Sequence, residues 1–216
     1  MQPADIPQVM DIERQSFPSM WPQTVYRREL KNKMARYLVA FEPIDAAETQ
    51  QPPVDATAGQ GIGGLVRRFL GGLPATLPSD RILGMVGLWC IVGEGHIVTI
   101  AVGEEHRRRS IGEVLLLAAL DAARDAGQEV VTLEYRISND AARALYDKYG
   151  FSQVGVRTKY YSDNQEDAVL MTTPPLRSST YRRLLVQRID DLRALWGDGF
   201  PLADRSAWLP GATPSG

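Results

Sequence analysis

The chain predicts an α+β fold, a central twisted mixed sheet flanked by helices, and three observations carry that expectation. A β-rich run from Ile97 to Val102 leads into a long apolar helical stretch, Ser110 to Ala126. That stretch leads into a buried strand, Val130 to Tyr135, making a βαβ-like unit. Hairpin patterns flank the unit on both sides, one around Gly93-Glu94-Gly95 and one around a polar loop from Tyr161 to Asp167. With 216 residues, 44% of them hydrophobic, the chain can build one ordinary domain and carry extra segments.

The elements follow in order. Residues 5 to 33 read as helical, with Ile6, Val9, Met10 and Ile12 apolar, a break at Pro18 and Pro22 around Trp21, and Val25, Tyr26 and Leu30 on one side beyond it. Tyr37 to Phe41 is a short strand. Residues 43 to 81 hold eleven Gly and Pro among thirty-nine, a composition that rarely builds a core, and read as a flexible insertion. Within it Leu65, Val66, Phe69, Leu70 and Leu73 have helical spacing. This is read as a short helix lying on the parent domain, with a membrane-surface or partner-binding helix as the alternative. Strands resume at Ile82 to Val92 and His96 to Val102. Gly127 stops the helix that begins at Ser110, Asn139 caps a helix from Asp140 to Tyr149, and Gly150 ends it. Phe151 to Arg157 and Ala168 to Thr172 complete the strands. Leu185, Ile189, Leu192 and Trp196 form an i, i+4, i+7, i+11 stripe expected to dock on its own domain, with a dimer partner or the sheet edge as alternatives. The expected division is a domain over 1–173, with the insertion 43–81, and an extension over 174–216.

Composition narrows the function. A net charge of −2 gives no general pull toward nucleic acid or anionic membrane. Cys90 is the only cysteine, which excludes an intramolecular disulfide and a cysteine zinc site, and two histidines are too few for most histidine metal sites. No apolar run is long enough to span a membrane and no secretion signal is visible, so a soluble cytoplasmic protein is expected, without a metal. His106 is expected to be an exposed turn residue, and Cys90 a buried structural thiol.

The stretch IVTIAVGEEHRRRSIG, Ile97 to Gly112, carries the chemistry. A strand feeds Arg107-Arg108-Arg109, then Ser110-Ile111-Gly112, and a helix starts at once. Helix N-termini present unpaired N–H groups and a positive dipole end, small residues let a phosphate approach, and arginines add forked donors. The arrangement reads as a pyrophosphate cradle with a strand pointing into it.

Those residues resemble the cofactor signature of the GNAT N-acetyltransferases, Q/R-x-x-G-x-G/A. The run Leu133-Glu134-Tyr135-Arg136-Ile137-Ser138-Asn139-Asp140-Ala141-Ala142, continued by Leu145-Tyr146-Asp147-Lys148-Tyr149-Gly150-Phe151, is similar to the bacterial ribosomal-protein alanine N-acetyltransferases. So are Tyr160-Tyr161 with Glu166-Asp167-Ala168 and Met171, and Ile12-Glu13-Arg14-Gln15-Ser16-Phe17-Pro18. The resemblance covers about residues 4 to 42 and 82 to 173. The chain departs from the family's pattern in three ways. Ser110 stands where the family has Gly, Met1 to Asp5 leaves no room for the family's first strand, and neither the insertion nor the tail belongs to its minimal domain.

The resemblance implies a GNAT fold and acetyl transfer from acetyl-CoA to an amine by direct attack in a ternary complex. The acceptor it implies is the N-terminal alanine of a small-subunit ribosomal protein. Glu134 becomes the base, expected among apolar neighbours that raise its pKa; a strand-end glutamate paired with an arginine is the alternative. Tyr146 becomes the acid that returns a proton to the CoA thiolate, or is a core tyrosine. Ile100, Ala101 and Val102 would bind the pantetheine arm, with the Val102 N–H polarising the thioester carbonyl. Arg107, Arg108, Arg109, Ser110, Ile111, Gly112 and Glu113 would hold the pyrophosphate. Asn139 would touch CoA, act as a plain cap, or both. Tyr160 and Tyr161 would shape the peptide slot or simply pack the hairpin. A homodimer is compatible with the sequence. Competing functions are a GNAT enzyme for lysine side chains or small amines, and a non-catalytic CoA-binding domain.

Overall fold

The computed structural model describes residues 1–17, 24–43 and 80–197. Six strands form one sheet: β1 (Ala35–Glu42), β2 (Arg81–Ile91), β3 (Glu94–Val102), β4 (Val130–Arg136), β5 (Ser152–Tyr161) and β6 (Glu166–Thr172). Their spatial order is β1-β2-β3-β4-β6-β5, antiparallel throughout except for the parallel β3–β4 pair. Helices α1 (Ile6–Ser16), α2 (Tyr26–Glu29), α3 (Ile111–Asp125), α4 (Asp140–Lys148) and α5 (Ser179–Trp196) flank it. The mixed sheet and the βαβ unit β3–α3–β4 are as the sequence predicts.

Two apolar layers hold the sheet. On one face α3 buries Ile111, Val114, Leu115, Leu116, Leu117 and Leu120 against Leu88, Ile97, Val131 and Leu133. A helix apolar nearly all round must be enclosed, and α3 lies along β1, β2, β3 and β4 with α4 touching its N-terminal end. Helix α5 joins this core through Leu185, Ile189 and Leu192, with Trp196 packed at its margin, and the Tyr181 hydroxyl donates to the Tyr149 carbonyl at 3.1 Å. The tail stripe therefore docks on its own domain. On the other face Ile6, Val9, Ile12 and Tyr26 cover Tyr37, Ile82, Met85 and Ala101.

Several boundaries differ from expectation. The first helical region is α1 plus a single turn, α2, and the break at Pro18, Trp21 and Pro22 lies outside the described residues. Strand β3 starts at Glu94, so Glu94 belongs to the ladder and not to the turn. The polar loop is shorter than predicted: Tyr161 pairs with Glu166 in the β5–β6 ladder. Arg81 pairs with Glu42, which puts the end of the predicted insertion inside β2. The helical spacing at residues 65–73 lies outside the described residues. Strand β1 is an edge of the sheet, and the Met1 amino group donates to the Tyr37 carbonyl at 3.1 Å.

Candidate active site

The sheet splits at one point. Strands β3 and β4 pair only from Glu94–Val130 to Ile97–Leu133; beyond that, β3 stays with β2 and β4 stays with β6. A bulge sits at the split, because Ile97 opposes Leu88 and Thr99 opposes Gly87, leaving Val98 as the extra residue. A bulge bends its strand and increases local twist, which swings the end of β3 away from β4. It also resets the side-chain alternation. His96 and Ala101 end on one face, while Ile97, Ile100 and Val102 pack toward α3.

The backbone of β3 lines this cleft. Gly103 N donates to Leu83 O at 2.9 Å. Directly opposed residues of an antiparallel pair alternate between bonded and non-bonded. Val102 opposite Gly84, and Ile100 opposite Val86, therefore turn their N–H and C=O groups away from β2 and into the cleft. Ala101, by the same alternation, turns its groups toward β2. The Val102 carbonyl receives Arg107 Nε at 3.4 Å.

The cleft opens onto the N-terminus of α3. The amides of Arg108, Arg109, Ser110, Ile111 and Gly112 donate to no described protein acceptor, whereas Glu113 N and Val114 N both bond to Ser110 O at 3.1 Å. A Cβ on Gly112 would come no nearer than 3.9 Å to other protein atoms, so packing within the chain leaves open space beside it. Ser110 is left-handed (φ 56°, ψ 12°), and so is Arg108 (φ 63°). The turn thus uses backbone angles that favour glycine, without one. A run of free amides, room for close approach and three arginines fit the pyrophosphate of a CoA thioester. Glu113 is drawn away from the cradle, its carboxylate bound to Lys148 Nζ and, at 2.8 Å, to the Tyr149 hydroxyl. His106 is buried, not exposed as the sequence reading expects. Its ring packs beneath Gly103, between Glu105 at 3.3 Å and Arg109 at 3.3 Å, and so braces the cradle from below.

Glu134 follows Leu133, the last residue of β4 paired to β3, and so stands at the mouth of the cleft. Its side chain is 8% exposed, with Oε2 3.0 Å from His96 Nε2 and Oε1 3.0 Å from Arg157 Nη2. The apolar surroundings expected for it are absent; its partners are an imidazole and a guanidinium. An arginine partner is the alternative the sequence offered, without saying which arginine; His96 was missed. Each was visible as a residue type, but the register that brings β3 beside β4, and β5 across β6, was not. His96 opposes Thr132 directly, and Thr132 and Glu134 share a face two residues apart.

Tyr146 lies in the core, 5.7 Å from the Tyr135 ring and 5.6 Å from the Phe151 ring between centroids. Burial pushes its phenol well above the ordinary tyrosine range, so it stays protonated at any working pH. Asn139 caps α4 by accepting from Ala142 N at 3.0 Å. Tyr160 and Tyr161 meet edge to face at 5.3 Å. Arg136 fastens this hairpin: its guanidinium lies 3.8 Å over the Tyr161 ring and binds Asp163 at 2.8 Å and Glu166 at 3.3 Å. Hydrogen bonds from Ser138 and Asn164 lower the Glu166 carboxyl to about 2. Cys90 is only half-buried and lies outside the cleft, on β2; burial pushes its thiol up. Among the described residues no group of His, Cys, Asp and Glu is placed to hold a metal ion. None of the described helices is long and apolar enough to cross a membrane.

Comparison with known proteins agrees with this geometry. Residues 6–151 match the acetyltransferase (GNAT) family. An N-alpha-acetyltransferase of Sulfurisphaera tokodaii is 34% identical over 171 residues, 79% of this chain and 87% of that protein. The [ribosomal protein bS18]-alanine N-acetyltransferase of Escherichia coli K12 is 36% identical over 86 residues, 39% of this chain and 58% of that protein. The crystal structure of the ribosomal-protein-S18-alanine N-acetyltransferase from Escherichia coli superposes with a TM-score of 0.57 at 21% identity. It covers 81% of this chain and 90% of that one, a likeness of fold. A split sheet, a helix N-terminus with free amides and a family match over most of the described core place this chain in the GNAT family, as an acetyl-CoA-dependent N-acetyltransferase.

Proposed function

We propose that the acceptor is the α-amine of a protein N-terminus, and that the N-terminal alanine of a small-subunit ribosomal protein is the acceptor of choice. One observation carries the reading. A shielded carboxylate, Glu134, stands where the sheet opens, hydrogen-bonded to an imidazole that can share its proton. An α-ammonium titrates near ~8, so a carboxylate–imidazole pair is base enough to free its lone pair near neutral pH. A lysine ammonium, near ~10.4, asks more of the same pair. The relatives named as N-alpha-acetyltransferases and bS18-alanine acetyltransferases support this acceptor class.

Acetyl-CoA supplies an acetyl group activated as a thioester. The amides from Arg108 to Gly112 and the three arginines would hold its pyrophosphate. Ile100 and Val102 offer strand-like partners to the pantetheine arm, and the Val102 N–H would polarise the thioester carbonyl. Asn139 would add a contact from the start of α4. Glu134 accepts the proton of the acceptor amine, directly or through one water. Tyr146 would offer its hydroxyl to the departing sulfur. Its raised pKa makes it a steady hydrogen-bond donor and a weak acid, so it acts by stabilising the thiolate. Tyr160 and Tyr161 would form a wall of the peptide slot. Cys90 has no part in a covalent route, because a half-buried thiol with a raised pKa offers little thiolate.

The deciding test is acetyl transfer to a short peptide beginning with alanine, beside its N-terminally blocked twin with an internal lysine. Product from the free N-terminus alone is expected. Product from both would move the acceptor to amines in general. Product from neither, while CoA still raises the melting temperature, would leave a CoA-binding domain without this activity.

A further inference from the structure

Two arginines stand in one row on the open face of the sheet. Arg136 on β4 opposes Ala168 on β6, and Ala168 opposes Arg157 on β5. Directly opposed residues share a face, so both arginines start from the side that carries Glu134, two residues before Arg136. Their partners differ. Arg136 is bound by Asp163, Glu166, Asn164 and the Tyr161 ring. Arg157 has one ion-pair partner among the described residues, Glu134, whose Oε1 lies 3.0 Å from Nη2, and its Cζ lies 5.4 Å from the Tyr160 ring centroid. Its side chain is 54% exposed, against 29% for Arg136. A guanidinium has five N–H donors, and the others on Arg157 meet no described acceptor.

This cation stands beside the carboxylate to which an acceptor amine must come. Hydrogen bonds of about 3 Å to one carboxylate put an arriving ammonium and the guanidinium within roughly 6 Å of each other. At that range like charges oppose docking of the ammonium and favour its neutral form. An acceptor offsets the repulsion by giving the guanidinium an oxygen to bind. An N-terminal residue brings one with it: its first carbonyl is joined to the amine through a single Cα, so the oxygen lies roughly 3 Å from the nitrogen. A lysine ammonium ends a flexible four-carbon stem and brings no carbonyl near it.

We infer that Arg157 determines specificity by donating to the first peptide carbonyl of the acceptor, so that an α-amine is accepted and a lysine ε-amine is turned away. The inference rests on the proposed α-amine acceptor and on Glu134 as its base. Arg157 then spans the two: Nη2 holds Glu134 Oε1, and its uncommitted N–H groups take the carbonyl oxygen. The planar fork of a guanidinium serves two acceptors at once, and the Tyr160 ring backs it from the wall of the slot.

The test removes the carbonyl and the arginine separately and together. The acceptors are a short peptide beginning with alanine and its trans-alkene twin, in which CH=CH replaces the first CO–NH. The enzymes are the wild type and Arg157→Met, which keeps the length of the side chain and removes its donors and charge. In the wild type the twin should lose at least about tenfold in kcat/KM, the worth of one hydrogen bond to a charged group. Arg157→Met should lose a similar factor on the alanine peptide, treat the two acceptors alike within about twofold, and keep its acetyl-CoA KM. The differing basicity of the two amines enters both enzymes equally and cancels when their ratios are compared. A role confined to steadying Glu134 would slow both acceptors by one factor and leave the wild-type ratio intact. That ratio surviving in Arg157→Met overturns the inference. No product from the alanine peptide in the wild type defeats the acceptor reading instead, and this inference falls with it.

Discussion

The two halves of the sheet share a face and treat it in opposite ways. Across β1, β2 and the end of β3 beyond the bulge the face is sealed. Tyr37, Met85 and Ala101 lie under Ile6, Val9, Ile12 and Tyr26, and the Tyr26 and Tyr37 rings meet edge to face at 5.5 Å. Across β4, β6 and β5 the same face carries Thr132, Glu134, Arg136, Arg157 and Glu166; Glu134 pairs with Arg157, and Arg136 with Glu166 and Asp163. The difference teaches how one sheet serves as both scaffold and site. The sealed half takes its stability from apolar burial, about 25 cal/mol per Å². The open half satisfies its polar groups by pairing them. The split at Ile97–Leu133 is the seam between the two.

The most severe way to break the contrast is at Glu134, the proposed base. Glu134→Gln should lower turnover by about 10²-fold or more with acetyl-CoA affinity nearly unchanged, since it removes a proton acceptor and little volume. Steady-state kinetics with acetyl-CoA titrated separately checks this. Next is the clamp on the hairpin. Arg136→Ala releases Asp163, Glu166 and the Tyr161 ring together, and acceptor kcat/KM should fall up to about 10²-fold through loss of positioning. Acetyl-CoA KM should hold, because Arg136 touches nothing near the cradle.

The sealed half should answer in stability instead. A Cβ on Gly87 would sit 2.5 Å from Tyr37 Cε1 and 3.1 Å from Thr99 Cγ2. Gly87→Ala should therefore cost about 1–3 kcal/mol by overpacking, read as a lower midpoint in denaturant titration. Acid should act on the open half through Glu166. The Glu166 carboxyl is lowered to about 2 when folded, so its contribution is full above its unfolded pKa near ~4.3. It is lost as pH falls from there through about 2. The β5–β6 hairpin should loosen in that window, seen as faster amide exchange at residues 158–167 than in the sealed half. The smallest effect is expected at Ser110. Its left-handed angles favour glycine, and Ser110→Gly should stabilise the fold by up to about 1 kcal/mol, the relief offset by glycine's greater unfolded freedom. Differential calorimetry with and without CoA would show it.

Much of the arrangement was legible along the chain. The strand–helix–strand unit from Ile97 to Tyr135 was visible because hydrophobic period and caps are local signals. The cradle was visible because residues 107–112 are contiguous. Glu134 could be singled out, but its surroundings were misjudged, since His96 and Arg157 come from β3 and β5, 38 and 23 residues away in sequence. His106 was misjudged for a similar reason. A histidine in a polar turn looks exposed until the turn folds back over Gly103.

The sequence by itself determined the order and type of the elements, the place of the cradle and the family chemistry, because periodicity, capping and a contiguous motif are properties of neighbouring residues. Only the tertiary structure decided that His96 and Arg157 flank Glu134, that Arg136 clamps the hairpin, and that a bulge at Val98 opens the sheet. Those depend on strand register, and a shift of one residue would turn every one of these side chains to the other face.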